Sequence, residues 1–452
     1  MCGIVGYIGH RDAYPIIIKG LKRLEYRGYD SAGIMLFNDT NIVVKTKGKV
    51  SDLEQIAASH DNKGKTLGMG HTRWATHGIP SDLNSHPHLS NSGKIAIVHN
   101  GIIENYASLK KMLSDNGFHF KSDTDTEVLV NLIEFIKTSQ NLKVGKAVQI
   151  ALTQVVGAYA VAVIDADRPG EVVVAKLGSP LAIGIGKDEY FIASDASPFI
   201  EYTKRTIYLD DNEMAVISRA QGFKMYSILR DKVITPIVQD IQLSLETIEK
   251  GGFDYFMLKE IHEQPHAITD TFRGRLLVDE RRINISGIEQ NKEIFKNASR
   301  ITIIACGTSW HAGLVAEYLF EDAARIPVEV EYASEFRYRN PVINKGDIVI
   351  AISQSGETAD TLAAIKLAKE NGAFVFGICN VVGSSIARAS DAGAYTHAGP
   401  EIGVASTKAF TTQLTVIIMM GLRLGQLKGT IDNADFDRVA KQLVALPKLI
   451  EA

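Results

Sequence analysis

The sequence predicts two domains of different fold class, a layered α+β domain followed by a doubly wound α/β domain. A chain of 452 residues is longer than one ordinary hydrophobic core supports, so two or three domains are expected. In the first half, strand-like runs are grouped and helical patterns stand apart, which is typical of layered α+β packing. From Arg300 onward, apolar strands alternate with helical stretches, which indicates a parallel sheet. We place the domains at residues 1–240 and 289–452, with a connector at 241–288.

Each element is predicted from its residue pattern. Runs rich in β-branched residues predict strands in the first domain at 4–8, 42–45, 94–99, 160–164, 171–175 and 190–193. Apolar residues at helical spacing predict helices there at 125–137 and 143–155. In the second domain, strands are predicted at 301–305, 327–332, 347–352 and 373–378, and helices at 311–323, 358–371 and 407–427. The Gly251-Gly252 pair and a helical segment that contains Pro265 indicate the connector.

Charge and cysteine content exclude several classes of protein. The net charge is -3, with 49 basic and 52 acidic residues well mixed, so neither a nucleic-acid-binding face nor a membrane-binding face is expected. Three cysteines far apart in the chain favour a reducing compartment over a disulfide framework. The most apolar stretch, 414–422, is far shorter than the ~20 residues of a membrane span. The sequence therefore predicts a soluble, cytoplasmic protein.

Cys2 is the first candidate catalytic residue. An isolated cysteine is usually inert, but this one directly precedes the first predicted strand, which would hold the terminus in place. If Met1 is removed, the new α-amine lies on the same residue as the thiol, and its ordinary pKa of about 7.7–8.0 suits a general base. One residue can then supply both the nucleophile and the base.

A nucleophile of this kind needs donors for the oxyanion that forms when it attacks. Asn100 and Gly101 follow an apolar run, and a side-chain amide and a backbone N–H at a strand end suit that role. The alternative for these two residues is an Asn-Gly hairpin turn, which is the commoner use of such a pair.

Two further segments carry groups that could bind an amino acid. Residues 71–78 combine one guanidinium, two hydroxyls, two imidazoles and an indole, and Arg73 among them can bind a carboxylate through two hydrogen bonds. His86 and His88 follow closely and raise a metal site as an alternative, although the spacing matches no zinc pattern and no acidic or cysteine ligand joins them. Residues 122–127 suit an ordinary helix N-cap, or a carboxylate that holds a substrate ammonium.

In the second domain, three hydroxyl-rich loops follow predicted strands. They lie at 306–309, 353–358 and 382–385. The carboxyl ends of parallel strands share one edge, where backbone N–H groups and hydroxyls at helix N-termini can bind an anion. Any one of these loops is explained by helix capping, but three at one edge favour a phosphate site. No P-loop and no dinucleotide fingerprint is present.

Four separated motifs resemble the class II glutamine amidotransferases. They are MCGIVGYI (1–8), LEYRGYDSAG (24–33), HTRWATHG (71–78) and HNGIIEN (99–105). The resemblance implies an N-terminal-nucleophile α/β/β/α sandwich, in which Cys2 is the nucleophile and Asn100 and Gly101 form the oxyanion hole. It also implies that Arg27 lies near the nucleophile and that Trp74 gates ammonia passage. The residues implied to bind glutamine are Arg27, Arg73, Trp74, Thr76, His77 and Asp125.

Two motifs in the second domain, SQSGET (353–358) and EIGVASTK (401–408), resemble the SIS (sugar-isomerase) domains that bind phosphosugars. With KEIHEQP (259–265) and SEFRYR (334–339), the pairing is similar to the amidotransferases that pass glutamine nitrogen to fructose 6-phosphate. This implies formation of glucosamine 6-phosphate and glutamate, a homodimer through the SIS region, and no metal or cofactor. The implied sugar-phosphate contacts are Thr308, Ser309, Ser353, Gln354, Ser355, Thr358, Val404 and Ala405.

Other functions are weighed against this one. Members of that family continue into a second SIS domain, whereas this sequence stops at Ala452, which predicts a shortened chain that could act only as a glutaminase with a sugar-phosphate-binding domain. A sugar-phosphate sensor would ordinarily carry a DNA-binding motif or a basic face, and neither is visible. A phosphoribosylamine-forming amidotransferase would carry an acidic pyrophosphate-binding loop, which the sequence does not show.

Overall fold

In the computed structural model, which describes residues 2–25, 28–38, 41–74, 78–241, 249–344 and 346–452, the chain folds as two units, Met1–Leu245 and Glu246–Ala452. The strands of the first unit are β1 (Gly3–Ile8), β2 (Ser31–Phe37), β3 (Asn41–Lys47), β4 (Leu67–Arg73), β5 (His88–Leu89), β6 (Ile95–Ile103), β7 (Gly157–Asp165), β8 (Glu171–Leu177), β9 (Ala182–Ile185), β10 (Tyr190–Ala193), β11 (Arg205–Tyr208), β12 (Glu213–Ser218), β13 (Gly222–Ser227), β14 (Lys232–Ile234) and β15 (Gln239–Asp240). Its helices are α1 (Ala13–Leu24), α2 (Val50–Ala57), α3 (Tyr106–Asp115), α4 (Asp125–Ser139) and α5 (Val144–Thr153).

These strands form two sheets packed face to face. The first has the order β15-β11-β9-β10-β1-β4-β2-β3 and the second β14-β13-β12-β8-β7-β6-β5. A buried apolar layer between them joins Ile4 and Met69 of the first sheet to Val98 and Ala162 of the second. On the other side of the second sheet, α3, α4 and α5 cover Ile97 and its neighbours. Because α1 packs on the other side of the first sheet, the layers run α/β/β/α, as predicted.

Strand β1 places Cys2 at the middle of the first sheet. All six of its residues are buried, and it pairs antiparallel with β4 on one side and β10 on the other. A side chain at Gly3 would not fit, since a Cβ there would lie 2.7 Å from Thr72 Oγ1. Only glycine therefore lets the two strands approach closely next to Cys2.

Strand β6 runs further than its sequence predicts. The predicted strand ends at His99, but β6 continues to Ile103, with Asn100 opposite Ala160 and Gly101 opposite Tyr159 on β7. The Asn-Gly hairpin turn does not form. Pairing with the nine-residue neighbour β7 outweighs the turn preference of the pair.

The second unit is built on one parallel sheet. Its strands are β16 (Leu276–Leu277), β17 (Arg282–Ile283), β18 (Ile301–Ala305), β19 (Val328–Tyr332), β20 (Ile348–Ser353), β21 (Phe374–Cys379) and β22 (Ala392–Tyr395). Its helices are α6 (Phe256–Phe272), α7 (Ser286–Glu289), α8 (Lys292–Asn297), α9 (Gly307–Ala324), α10 (Ala333–Tyr338), α11 (Ala359–Glu370), α12 (Ser385–Ala389), α13 (Lys408–Lys428) and α14 (Asn433–Glu451).

The parallel sheet has the order β19-β18-β20-β21-β22, all neighbours running the same way. Helices α9 and α13 pack against one face of this sheet through one apolar cluster. Helices α10 and α11 pack against the opposite face through a second apolar cluster. This confirms the predicted doubly wound sheet. The strand order reverses between β18 and β20, which is where ligands bind in folds of this class. Within the described residues, no helix has both the length and the apolar character of a membrane span.

Candidate active site

The Cys2 thiol lies against the backbone at the end of β4. The Trp74 N–H donates to Cys2 Sγ at 3.3 Å, and the sulfur also lies 3.5 Å from the Trp74 carbonyl oxygen. Burial raises the pKa of the Cys2 thiol, while the Trp74 backbone and the charge of Arg73 lower it. The thiol therefore needs a base to ionise, and the Trp74 N–H and the Arg73 charge favour the thiolate once it forms.

A glycine holds the Arg73–Trp74 peptide in this position. A Cβ at Gly28 would lie 2.6 Å from the Arg73 carbonyl carbon and 2.7 Å from the Trp74 nitrogen. The Asp30 N–H donates to the Arg73 carbonyl oxygen at 3.0 Å. Sequence reasoning noticed this glycine only as part of a motif, because the close approach of two segments far apart in the chain leaves no local signal.

Arg73 and Asp125 are both buried; the charge of Arg73 acts on the thiol, and that of Asp125 acts on Arg73. Arg73 donates to the Gly78 carbonyl oxygen at 3.2 Å. Burial lowers the pKa of Arg73, and the charges of Cys2 and Asp125 act in the opposite direction. Asp125 opens α4, and its Oδ2 accepts the Ile103 N–H at 2.7 Å. A guanidinium near the thiol and a carboxylate near that guanidinium could bind the carboxylate and ammonium ends of an amino acid.

Asn100 lies beside Cys2, across from β1. Its Nδ2 donates to the Cys2 carbonyl oxygen at 3.1 Å, so the amide donor faces the nucleophile residue. Gly101 follows with φ of +140°, and a Cβ there would lie 1.9 Å from the Ala158 carbonyl oxygen. The structure thus brings Cys2, Arg73, Asn100, Gly101 and Asp125 into one region.

Of the other predicted glutamine contacts, only Trp74 lies within the described residues. Trp74 is 41% exposed, and its ring meets that of Tyr29 edge to face at 5.5 Å. Arg27, Thr76 and His77, like Met1, lie outside the described residues.

Four buried histidines, His71, His86, His88 and His99, lie next to this site; the sequence raised only a metal site for His86 and His88. His71 donates from Nε2 to Asn100 Oδ1 at 2.9 Å, and its ring stacks on His86 at 4.1 Å. The His86 ring meets His88 edge to face, and His86 Nδ1 accepts the His99 N–H at 3.2 Å.

Burial keeps these imidazoles neutral. It lowers the pKa of His71 to about 3, and it lowers the pKa of His86, His88 and His99 below the ordinary value. Several of their nitrogens hydrogen-bond to protein groups, as His88 Nε2 does to Thr124 Oγ1 at 3.1 Å. Among the described residues, no three His, Cys, Asp or Glu side chains are arranged to hold a metal ion.

The second unit has its own candidate site at the carboxyl edge of the parallel sheet. Ser353 ends β20, and its buried Oγ accepts the Gly356 N–H at 3.0 Å and lies 3.1 Å from Thr358 Oγ1. Gly356 has φ of +65°, and a Cβ there would lie 1.9 Å from Ser384 Oγ, so this loop packs tightly on the one that follows β21. Gln354 and Ser355 are half-buried beside it.

The loop after β18 joins the same edge. Thr308 is exposed in the first turn of α9, whereas Ser309 is buried and its Oγ accepts from Gln413 Nε2 at 3.0 Å. Since β18 and β20 are neighbours, the loops that follow them lie side by side. Thr308 therefore presents its hydroxyl to solvent, while Ser309 already has a partner in the protein.

Val404 and Ala405 lie on an exposed loop whose supports the sequence did not reveal. Glu260 on α6 accepts the Ile402 N–H at 2.5 Å and the Gly403 N–H at 3.0 Å. Glu401 accepts the Thr407 and Ala409 N–H groups at 2.8 and 3.0 Å, which caps α13. Both carboxylates lie in motifs noted in the sequence, but a motif does not show which backbone groups a side chain meets.

Comparison with known proteins matches both units. Family models of a glutamine amidotransferase domain and a SIS domain match residues 51–234 and 294–423. The glutamine–fructose-6-phosphate aminotransferase (isomerizing) of Bacteroides thetaiotaomicron is 57% identical over 449 residues, which are 99% of this chain and 73% of that protein. The protein of the same name from Chlorobaculum tepidum is 54% identical over 452 residues, with the same two coverages of 99% and 73%.

A solved structure matches part of the chain. It is the C-terminal domain of glucosamine-fructose-6-phosphate aminotransferase from Francisella tularensis, 42% identical over 44% of this chain and 56% of that chain, with a TM-score of 0.42. The two curated relatives align with almost the whole sequence and include both of its domains. The chain belongs to the glutamine–fructose-6-phosphate aminotransferase family.

Proposed function

We propose that this protein transfers the amide nitrogen of glutamine to fructose 6-phosphate, giving glucosamine 6-phosphate and glutamate. The observation that carries the proposal is the position of Cys2, whose carbonyl oxygen accepts from Asn100 Nδ2 and whose sulfur accepts from the Trp74 N–H. The identity to curated relatives supports the choice of acceptor. The protein acts in the cytoplasm and as a homodimer through its SIS region.

Met1 must be removed before the first half-reaction can take place. The freed α-amine accepts the thiol proton, and Cys2 Sγ attacks the glutamine amide carbon to form a C–S bond. Asn100 Nδ2 and the Gly101 N–H stabilise the negative oxygen of the tetrahedral intermediate, and each such donor is worth about 2.7–4 kcal/mol in the transition state. The ammonium of the base then protonates the leaving nitrogen, and the C–N bond breaks to release ammonia.

The resulting glutamyl thioester is hydrolysed by water, which gives glutamate and restores the thiol. Arg73 binds the α-carboxylate of glutamine and Asp125 its ammonium, which holds the substrate in register with Cys2. Arg27, Thr76 and His77 contribute further contacts to glutamine. Trp74, exposed at the edge of the site, gates the passage of ammonia.

In the second half-reaction, ammonia condenses with the C2 carbonyl of fructose 6-phosphate and water leaves, which gives an imine. A proton shift from C1 to C2 then converts the imine to glucosamine 6-phosphate, with the new carbonyl at C1. The hydroxyls of Thr308, Ser355 and Thr358, with backbone N–H groups at the N-termini of α9 and α11, bind the phosphate. Ser309, Ser353 and Gln354 shape these loops and the sugar contacts. Val404 and Ala405 line the sugar.

The decisive experiment combines a glutaminase assay with intact-mass measurement, on the wild type and on Cys2→Ala. We expect the wild type to lack Met1 and to release glutamate, and Cys2→Ala to lose activity by at least about 10³-fold. Full activity in a Cys2→Ala protein that has lost Met1 would contradict the proposal. Formation of glucosamine 6-phosphate tests the acceptor separately, because a chain that acts only as a glutaminase would release glutamate without aminating the sugar.

A further inference from the structure

We propose that His71 is a positioning residue for glutamine hydrolysis: its imidazole holds the Asn100 side chain with the amide donor facing Cys2. This inference rests on the proposed function, because it concerns the oxyanion that forms when Cys2 attacks. His71 itself lies one residue removed from the reacting atoms and acts through Asn100.

A chain of two hydrogen bonds carries the argument. His71 Nε2 lies 2.9 Å from Asn100 Oδ1 and 3.0 Å from the His99 carbonyl oxygen. Both partners are acceptors, so the proton of the imidazole sits on Nε2 and is shared between them. At the other end of the amide, Asn100 Nδ2 donates to the Cys2 carbonyl oxygen at 3.1 Å. The amide oxygen of Asn100 thus accepts from a donor, and the amide nitrogen donates to an acceptor.

A half-turn of the Asn100 amide would reverse both contacts. The amide NH2 would then face the imidazole N–H, and Oδ1 would face the Cys2 carbonyl oxygen, so that both contacts become repulsive. In that orientation a carbonyl dipole, instead of a donor, would point toward the developing oxyanion. Because oxyanion stabilisation depends on donors already in place, the His71 N–H selects the productive orientation before glutamine reacts.

The His71 ring is held rigidly enough to do this. The residue is 1% exposed and lies in the middle of the sheet, opposite Ile4 on β1 and Gly33 on β2. Its ring stacks on His86 at 4.1 Å with an interplanar angle of 19°. Burial lowers the pKa of His71 to about 3, so it stays a neutral donor over the range in which proteins of this kind work.

The test is a double-mutant cycle between His71 and Asn100. His71→Phe keeps a ring against His86 but removes the donor, and Asn100→Ala removes the amide. We expect His71→Phe to lower the glutaminase kcat by about 10²-fold with KM changed little, in line with loss of one oxyanion donor. The double variant should be no slower than Asn100→Ala alone, since His71 acts only through that amide. His71→Gln, which retains an N–H donor, should recover part of the rate.

His88→Phe provides the matched control. His88 is buried in the same histidine cluster, and its ring meets the His86 ring edge to face. Its Nε2 hydrogen-bonds to Thr124 Oγ1 and not to Asn100. Its effect should therefore multiply with that of Asn100→Ala. If the losses of His71→Phe and Asn100→Ala also multiply, or if His71→Phe keeps wild-type kcat, the assignment is wrong.

A binding measurement covers the case in which His71→Phe folds poorly. The γ-aldehyde analogue of glutamate adds to Cys2 Sγ and forms a tetrahedral oxyanion, whereas glutamate itself does not. His71→Gln should weaken binding of the aldehyde several-fold and leave glutamate affinity unchanged, and equal weakening of both would refute the positioning role. Glutaminase activity that does not depend on Cys2 would instead overturn the proposed function.

Discussion

At the scale of single residues, Gly101 shows how much the backbone of the site depends on glycine. Its φ of +140° lies outside the range that side chains favour, and a Cβ would meet the Ala158 carbonyl oxygen at 1.9 Å. We expect Gly101→Ala to lower the free energy of unfolding by at least about 2 kcal/mol, as measured by urea denaturation. Gly93 also has a positive φ, of +76°, but a Cβ there would meet open space. Gly93→Ala should therefore lower the free energy of unfolding by only about 1 kcal/mol. An equal loss of unfolding free energy in the two variants would show that the contact with the Ala158 carbonyl oxygen has no effect.

The buried histidines make a second prediction at this scale. Their pKa values are lowered on folding, and that of His71 falls to about 3, so below pH ~6.5 the unfolded chain binds protons that the folded first unit cannot bind. Stability is therefore retained above that pH and falls as the pH decreases toward the folded pKa. Each such histidine removes about 1.4 kcal/mol per pH unit in that window.

Urea denaturation between pH 7.5 and 5.5, followed by the fluorescence of Trp74 in a Trp310→Phe background, measures this loss. Trp74 lies in the first unit and Trp310 in the second, so the signal reports on the histidine-containing unit alone. His88→Gln should reduce the pH dependence by about one proton. An unchanged slope in His88→Gln would contradict the argument.

At the scale of elements, helix α6 supports the loop that carries Val404 and Ala405. Glu260 accepts two backbone N–H groups of that loop, and Lys408 after the loop forms an ion pair with Glu263 at 2.6 Å. Burial raises the pKa of Glu260, and the two N–H groups act against this. Hydrogen bonds to a charged acceptor are worth roughly 1.5–3 kcal/mol each, so their loss should disorder the loop.

We therefore expect Glu260→Gln to weaken fructose 6-phosphate binding about tenfold in a calorimetric titration while glutaminase kcat stays the same. Glu321→Gln is the matched control, because Glu321 also accepts a backbone N–H, from Val328 at 3.1 Å, but away from this loop. Unchanged sugar-phosphate affinity in Glu260→Gln would rule out a role for the loop in binding.

Local patterns identified some elements well and others not at all. Strands β10 and β18 are bounded as predicted, since short apolar runs there end at polar or turn residues. Helix α1 was missed because Pro15 and the β-branched run at 16–18 disguise its helical spacing. Strand β2 is buried on both faces, so the alternation that marks a half-exposed strand is absent.

At the scale of the whole molecule, each unit has its own core. The apolar clusters that bury β1, β6 and α4 contain only residues of Met1–Leu245, and those around β18 and β20 contain only residues of Glu246–Ala452. Units with separate cores can fold alone. We expect a fragment of residues 1–245 to release glutamate from glutamine within about threefold of the wild-type rate.

The stabilisation produced by binding of fructose 6-phosphate tests the second unit. At a hundred times its Kd it should stabilise the full chain by about 2.7 kcal/mol, seen as a shift in Tm, and leave the 1–245 fragment unaffected. Inactivity of a folded fragment would show that the glutaminase site needs the second unit.

The sequence by itself determined the two fold classes, because these depend on local composition, short motifs and the period of apolar residues. It also predicted Cys2 as the nucleophile and a phosphate site at one edge of the parallel sheet. Only the tertiary structure decided that His71 bonds to Asn100, that four histidines are neutral, and that β6 continues through Gly101. Those features depend on which strands become neighbours: β1 pairs with β4, more than sixty positions later in the numbering, and packs against β6 of the other sheet. Such contacts leave no mark on any one stretch of sequence, since the burial and the hydrogen-bond partners they create exist only after the sheets have formed.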